Sequence, residues 1–309
     1  MKNVLKMIGV FIILIIATGV AILIVLWKRP AAPEDYQQTT QTGGAIETKY
    51  MANGPYEVSF RESTVLLDFG KFLVYYPSEL ETGMEKYPVI VICNGSGTPL
   101  SKYPAVARHL ASWGFIVVGT EEKNAWNAFG AEMCLRYLER WNENEKIEET
   151  ASPFYQKIDF QRVGVVGHSQ GGVGVINAIT DTRHKDVYRA AVSLSPTNRE
   201  LAHDLFWDYD PSLIDIPILL ISGAGGGDDW VVTGAQLQSI YDDAGSEKIM
   251  MRRKETNHNE VLYAANGYVT AWFAWQLLGD NEAGKAFVGE EAEILSNSLY
   301  QDQQVSMEG

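Results

Sequence analysis

The chain has 309 residues, room for one large domain or two small ones, and 46% of them are apolar, enough for a sizeable core. Its formal net charge is −14 at pH 7. Four of the 25 basic residues and no acidic one precede residue 30, so the remainder sets 21 basic against 39 acidic groups; that argues against nucleic acid and against docking of this part on anionic lipid.

Lys2 and Lys6 precede an uncharged, almost wholly apolar stretch over residues 7–27, closed by Lys28 and Arg29. At about 1.5 Å per residue, some 20 residues cross a hydrocarbon core about 30 Å thick. The stretch is too long for the h-region of a cleaved signal peptide. Residues 1–29 are therefore expected to be an uncleaved single-pass anchor in the cell membrane. Two lysines on a short N-terminus place the following domain on the extracytoplasmic side. Residues 30–54 are polar and aperiodic, with Pro and Gly, and read as a flexible linker. The domain is expected over 55–309.

From residue 55 the pattern becomes regular. Residues 56–60 and 72–76 read as two antiparallel edge strands. Continuous apolar runs follow at 89–93, 115–119, 163–167, 190–194 and 218–222, with a weaker one at 248–252. Such runs suit strands buried on both faces of a parallel sheet. Helical periods lie between them at 103–113, 128–141, 171–181, 233–243 and 260–278. The alternation predicts an α/β fold with about eight mostly parallel strands flanked by helices. Cys93 and Cys134 fall in a buried strand and a helix and read as core thiols. Residues 195–217 have room for a loop and one helix around 200–206, too little for a cap, so an open site is expected. Residues 287–309 read as a short helix and a polar tail.

The fifth strand in chain order runs into Gly167-His168-Ser169-Gln170-Gly171-Gly172, with a helix behind it. G-x-S-x-G between strand and helix lifts a serine hydroxyl onto a strained turn, where bulkier neighbours than Gly167 and Gly171 would collide. The helix dipole behind Ser169 favours developing negative charge. The motif alone is weak, since a Gly-rich turn would also show it, so its partners decide. An acid and a histidine are needed in that order, each beyond a later strand. Asp228 and Asp229 follow 218–222, and His258 follows 248–252. The loop Asn94-Gly95-Ser96-Gly97 after 89–93 supplies a second backbone donor beside the N–H of Gln170: Ser96 first, Gly97 second. The glycines let substrate approach the backbone closely.

These residues resemble the α/β-hydrolase superfamily. The likeness is closest to its lidless branch of dienelactone-hydrolase-like esterases, cutinase-like polyester hydrolases and chlorophyllase-like proteins. It covers roughly residues 56–289. It rests on VIVICNGSG, ASWGFIVVGTE, VGVVGHSQGG, VSLSP, IPILLISG with the acid after it, and His258 followed by YVTAWFAWQLLGD. The resemblance implies a serine ester hydrolase with Ser169 as nucleophile, His258 as base and Asp229, picked over Asp228 by pattern, as the orienting acid. Ser96 and Gln170 would form the oxyanion hole. Gly95, Gly97, His168, Trp126 and Trp230 would line the substrate. It implies a small or polymeric ester as substrate, a monomeric catalytic domain, and neither metal nor organic cofactor. Two departures stand out: Asn94 replaces the His or Pro of many relatives, and Thr197 stands where hydrolases of aromatic polyesters often carry Trp. A peptidase or amidase with the same triad, or a non-catalytic ligand-binding scaffold, are the alternatives.

Overall fold

The computed structural model of the chain describes residues 29–64, 70–147 and 149–307. The expected membrane anchor lies outside the described residues, and no helix among the described residues is long and apolar enough to cross a membrane. The fold is that of the unit Ala32–Gly309.

Two short helices, α1 (Tyr36–Thr39) and α2 (Ala45–Met51), open this unit. Then come β1 (Val58–Thr64), β2 (Lys71–Pro77), β3 (Tyr87–Cys93), α3 (Pro104–Ser112), β4 (Ile116–Thr120) and α4 (Phe129–Glu143). The second half holds β5 (Ile158–His168), α5 (Gln170–Thr180), β6 (Tyr188–Leu194), α6 (Arg199–Asp204), β7 (Ile218–Ala224) and α7 (Gly234–Asp243). It closes with β8 (Lys248–Lys254), α8 (His258–Ala264), α9 (Asn266–Leu278), α10 (Asn281–Gly284), α11 (Glu293–Ser296) and β9 (Tyr300–Ser306).

The main sheet has nine strands in the order β1-β2-β4-β3-β5-β6-β7-β8-β9. Its six central strands, β4 to β8, are parallel, while β1, β2 and β9 pair antiparallel at the two edges. β3 and β4 are buried at every position, as their unbroken apolar runs require once helices cover both faces. The chain steps from β3 outward to β4, then back past β3 to β5. The strand order therefore reverses between β3 and β5, and the loops at their C-terminal ends open a crevice. Cys93 pairs with Gly167 there, which sets the loop 94–97 beside Ser169.

Three expectations change. The linker over 30–54 is part of the folded body from Ala32 onward: Ala32, Tyr36, Glu47 and Tyr50 are fully buried. Its anchors are far away in sequence. Glu293 accepts from the N–H groups of Ile46 and Glu47, and Glu47 is held by Arg253 at 2.9 Å, Tyr300 at 2.8 Å and Asn297 at 2.9 Å. The Tyr50 ring packs on Trp113 at 4.6 Å, and His109 and Trp113 both donate to the Ala52 carbonyl. The polar tail contains β9, an edge strand whose half-exposed residues carry little apolar signal. The single helix over 260–278 is two. A reciprocal cap between Asn257 and Glu260 starts α8 at His258, and the chain breaks at Ala265 before α9.

Candidate active site

Three strand ends converge on the crevice. β5 delivers Ser169 at φ +61° and ψ −122°, a strained conformation for a serine, and pins its N–H to the Leu194 carbonyl at 2.9 Å. Only glycine fits two residues either side of it. A Cβ on Gly167 would lie 2.2 Å from the Gly171 oxygen, and one on Gly171 would lie 2.1 Å from the Cys93 oxygen.

β8 and the Asn257 cap place His258 at the first position of α8. Its Nε2 is 2.9 Å from Ser169 Oγ, and its Nδ1 is 2.7 Å from Asp228 Oδ1. A carboxylate accepts, so Nδ1 carries the proton and Nε2 presents its lone pair to the serine hydroxyl. Asp228 is fully buried, and its Oδ2 accepts from Gly223 N–H at 2.6 Å and from Ser195 Oγ at 3.1 Å.

This corrects the choice of acid. Asp229 points away, its side chain 65% exposed, to a 2.7 Å ion pair with Arg252. Gly227 at φ +100° leads into a 3-10 turn over Asp228–Trp230, in which successive side chains diverge by about a third of a turn. One aspartate then faces the core and the next faces solvent. The pattern of an acid followed by apolar residues selects Asp229 because it reads spacing along the chain, whereas the direction in which each side chain leaves the turn decides the partner of His258.

The loop after β3 lies against the serine: a Cβ on Gly95 would sit 3.7 Å from Ser169 Cβ and 3.2 Å from the His168 oxygen. Among the described residues, the N–H groups of Ser96 and Gln170 have no acceptor, which leaves them available as donors. Gly97 is excluded as a donor, because its N–H is committed to the Lys123 carbonyl at 3.1 Å. Asn94, buried, ties this loop down. Its Nδ2 donates to the carbonyls of Thr120 at 2.8 Å and Glu122 at 3.0 Å, and its Oδ1 accepts from Tyr103 at 2.6 Å. Gln170 Oε1 accepts from Ala125 N–H at 2.9 Å, so the same β4–α4 loop also braces the residue behind Ser169.

His168 does not line a substrate space. It is buried, its Nε2 donates to the His258 carbonyl at 2.7 Å, and its ring lies 4.5 Å from the His258 ring. Burial, followed by the neighbouring His258, pushes it down to about 3, so it is neutral at ordinary pH. Trp230 is 86% exposed beside Asp228; Trp126 is half-buried in the β4–α4 loop, its carbonyl accepting from Asn177. Thr197 is buried and offers no exposed side chain. Between β6 and β7 stand only α6 and a short turn at Pro211–Leu213, as the length of that segment implied. The bracing roles of Ser195, Asn94 and His168 carry no sequence signal, because each depends on a partner outside its own motif.

The family model described as PET hydrolase-like matches residues 33–275. Cutinase est1 of Thermobifida alba is 28% identical over 180 residues, 56% of this chain and 52% of that protein. A bis(hydroxyethyl) terephthalate hydrolase of Streptomyces coelicolor is 28% identical over 205 residues, 63% of this chain and 57% of that protein. The chain thus spans little more than half the length of these relatives. The family match begins at the first turn of the folded body and runs through the nucleophile elbow, Asp228 and His258. The chain belongs to the PET hydrolase-like family.

Proposed function

We propose that the protein is a serine hydrolase of carboxylic esters that works through an acyl-enzyme. The observation that carries this reading is the unbroken hydrogen-bond chain from Ser169 Oγ through His258 to buried Asp228, set on a strained G-x-S-x-G turn. His258 takes the proton of Ser169 as Oγ attacks the ester carbonyl. Asp228 fixes the tautomer of His258 and stabilises the imidazolium that forms. The N–H groups of Ser96 and Gln170 receive the oxyanion, each worth about 10²–10³ in rate. His258 then protonates the leaving alkoxide, and the same base activates the water that frees the acid.

The names of the relatives support cutin-like polyesters and small terephthalate esters as the substrate class. Trp230, exposed two residues after the acid, offers a ring for an apolar acyl or aryl group, whereas small, buried Thr197 offers none. The test is a panel of p-nitrophenyl acetate, butyrate and decanoate, bis(hydroxyethyl) terephthalate, PET film and a p-nitroanilide. Ester turnover that Ser169→Ala abolishes, with the anilide at least about 10³-fold slower, supports the reading. Turnover of the anilide alone would replace it with an amidase. The apolar residues 7–27 further favour a membrane anchor, tested by whether the full chain sediments with membranes through alkaline carbonate.

A further inference from the structure

Ser195 belongs to neither the elbow nor the oxyanion loop. It follows β6, is fully buried, and has φ +40°, a conformation that glycine takes freely and serine does not. Its N–H donates to the Ile221 carbonyl at 2.7 Å, joining the end of β6 to the strand that leads to Asp228. Its Oγ donates to Asp228 Oδ2 at 3.1 Å, beside the Gly223 N–H at 2.6 Å, while Oδ1 accepts from His258 Nδ1 at 2.7 Å.

A carboxylate turns readily about its last torsion, so the direction of Oδ1 depends on what holds Oδ2. Gly223 supplies one donor; Ser195 supplies a second from the neighbouring strand, and together they fix the carboxylate plane. The strained backbone at Ser195 is a recurrent mark of functional sites, and a purely structural turn here would be served better by glycine. We propose that Ser195 is a positioning residue: its hydroxyl holds the Asp228 carboxylate in the plane from which Oδ1 orients His258. The inference rests on the triad reading above.

The test compares full-length wild type, Ser195→Gly, Ser195→Ala and Ser195→Thr, reading kcat and KM for p-nitrophenyl butyrate together with the melting temperature. Ser195→Gly relieves the positive φ but removes the hydroxyl. It should melt at or above wild type while kcat falls roughly 10-fold, as expected for loss of a hydrogen bond to a charged group, with KM within about 2-fold. Ser195→Thr keeps the hydroxyl but adds a β-branch at positive φ. It should melt lower yet keep kcat within about 3-fold. Ser195→Ala keeps the backbone and the Cβ and should share the kcat loss, which carries the test if the glycine variant folds poorly. Wild-type kcat in Ser195→Gly and Ser195→Ala, or a kcat that follows melting temperature across the variants, would overturn the proposal. Failure of wild type itself to turn over the ester would remove the triad reading and this inference with it, and is read on wild type alone.

Discussion

The Nε2–H of His168 meets the main-chain oxygen of His258 at 2.7 Å, and the two rings pack with centroids 4.5 Å apart. The residue before the candidate nucleophile thus grips the backbone of the candidate base. Ser169 and His258 are 89 positions apart, and this bond joins their two loops directly. His168→Phe keeps a ring in the same space and loses the bond. Its kcat/KM for p-nitrophenyl butyrate should fall about 10-fold, the scale of one lost buried hydrogen bond. An unchanged value would show that packing alone sets the base.

The two adjacent aspartates should separate cleanly. Asp228→Asn leaves the volume intact but supplies an amide where His258 needs an acceptor, and kcat should fall on the order of 10⁴-fold. Asp229→Asn loses an exposed ion pair with Arg252, of a kind worth about 0–1 kcal/mol, and should change kcat by less than about 3-fold. Steady-state kinetics of the two variants decides between them.

Stability should fall as the protein is acidified below neutrality. Burial holds His109 down to about 4 and His168 down to about 3. The unfolded chain protonates both near 6.5, so from there downward it binds up to two protons that the folded chain refuses. Glu122 acts in the opposite sense. Burial pushes it up to about 7, so its stabilising contribution is complete below about 4.5 and is lost as the pH rises toward 7. Between 6.5 and 4.5 two histidine protons oppose one from Glu122, and each proton is worth about 1.4 kcal/mol per pH unit. The melting temperature should therefore drop over that window. Glu122→Gln should steepen the drop, and His109→Gln should flatten it.

The N-terminal segment should be essential to the fold. Glu47 and Arg253 form a buried pair, with side chains 0% and 6% exposed, and Tyr300 and Asn297 complete it. Removing one partner of such a pair leaves an uncompensated charge and costs about 3–5 kcal/mol. Glu47→Leu should lower the melting temperature by roughly 10 °C, read by differential scanning calorimetry, while KM for small esters stays near wild type.

How much of this was legible in the sequence follows from where each signal resides. The parallel strands announce themselves because both faces are buried, as in β3 and β4. The elbow is readable because its sterics are local: Gly167 and Gly171 lie two residues either side of Ser169. His258 follows from chain order alone. The segment 32–54 was not legible, because its folding depends on Glu293, Arg253 and Tyr300, more than 200 positions away. The edge strand β9 shows too few apolar residues to register. Asp228 and Asp229 are chemically identical, and only the turn after Gly227 distinguishes them.

The central claim is that Ser169 is a nucleophile activated by His258. It is tested most directly by exposing the full-length protein, with Ser169→Ala and His258→Gln beside it, to a fluorophosphonate and mapping the adduct by peptide mass spectrometry. The account predicts one stoichiometric adduct on the peptide carrying Ser169 in wild type, none in Ser169→Ala, and labelling slowed at least about 10³-fold in His258→Gln. A folded wild-type protein that takes up no label, or takes it at another residue, would contradict it.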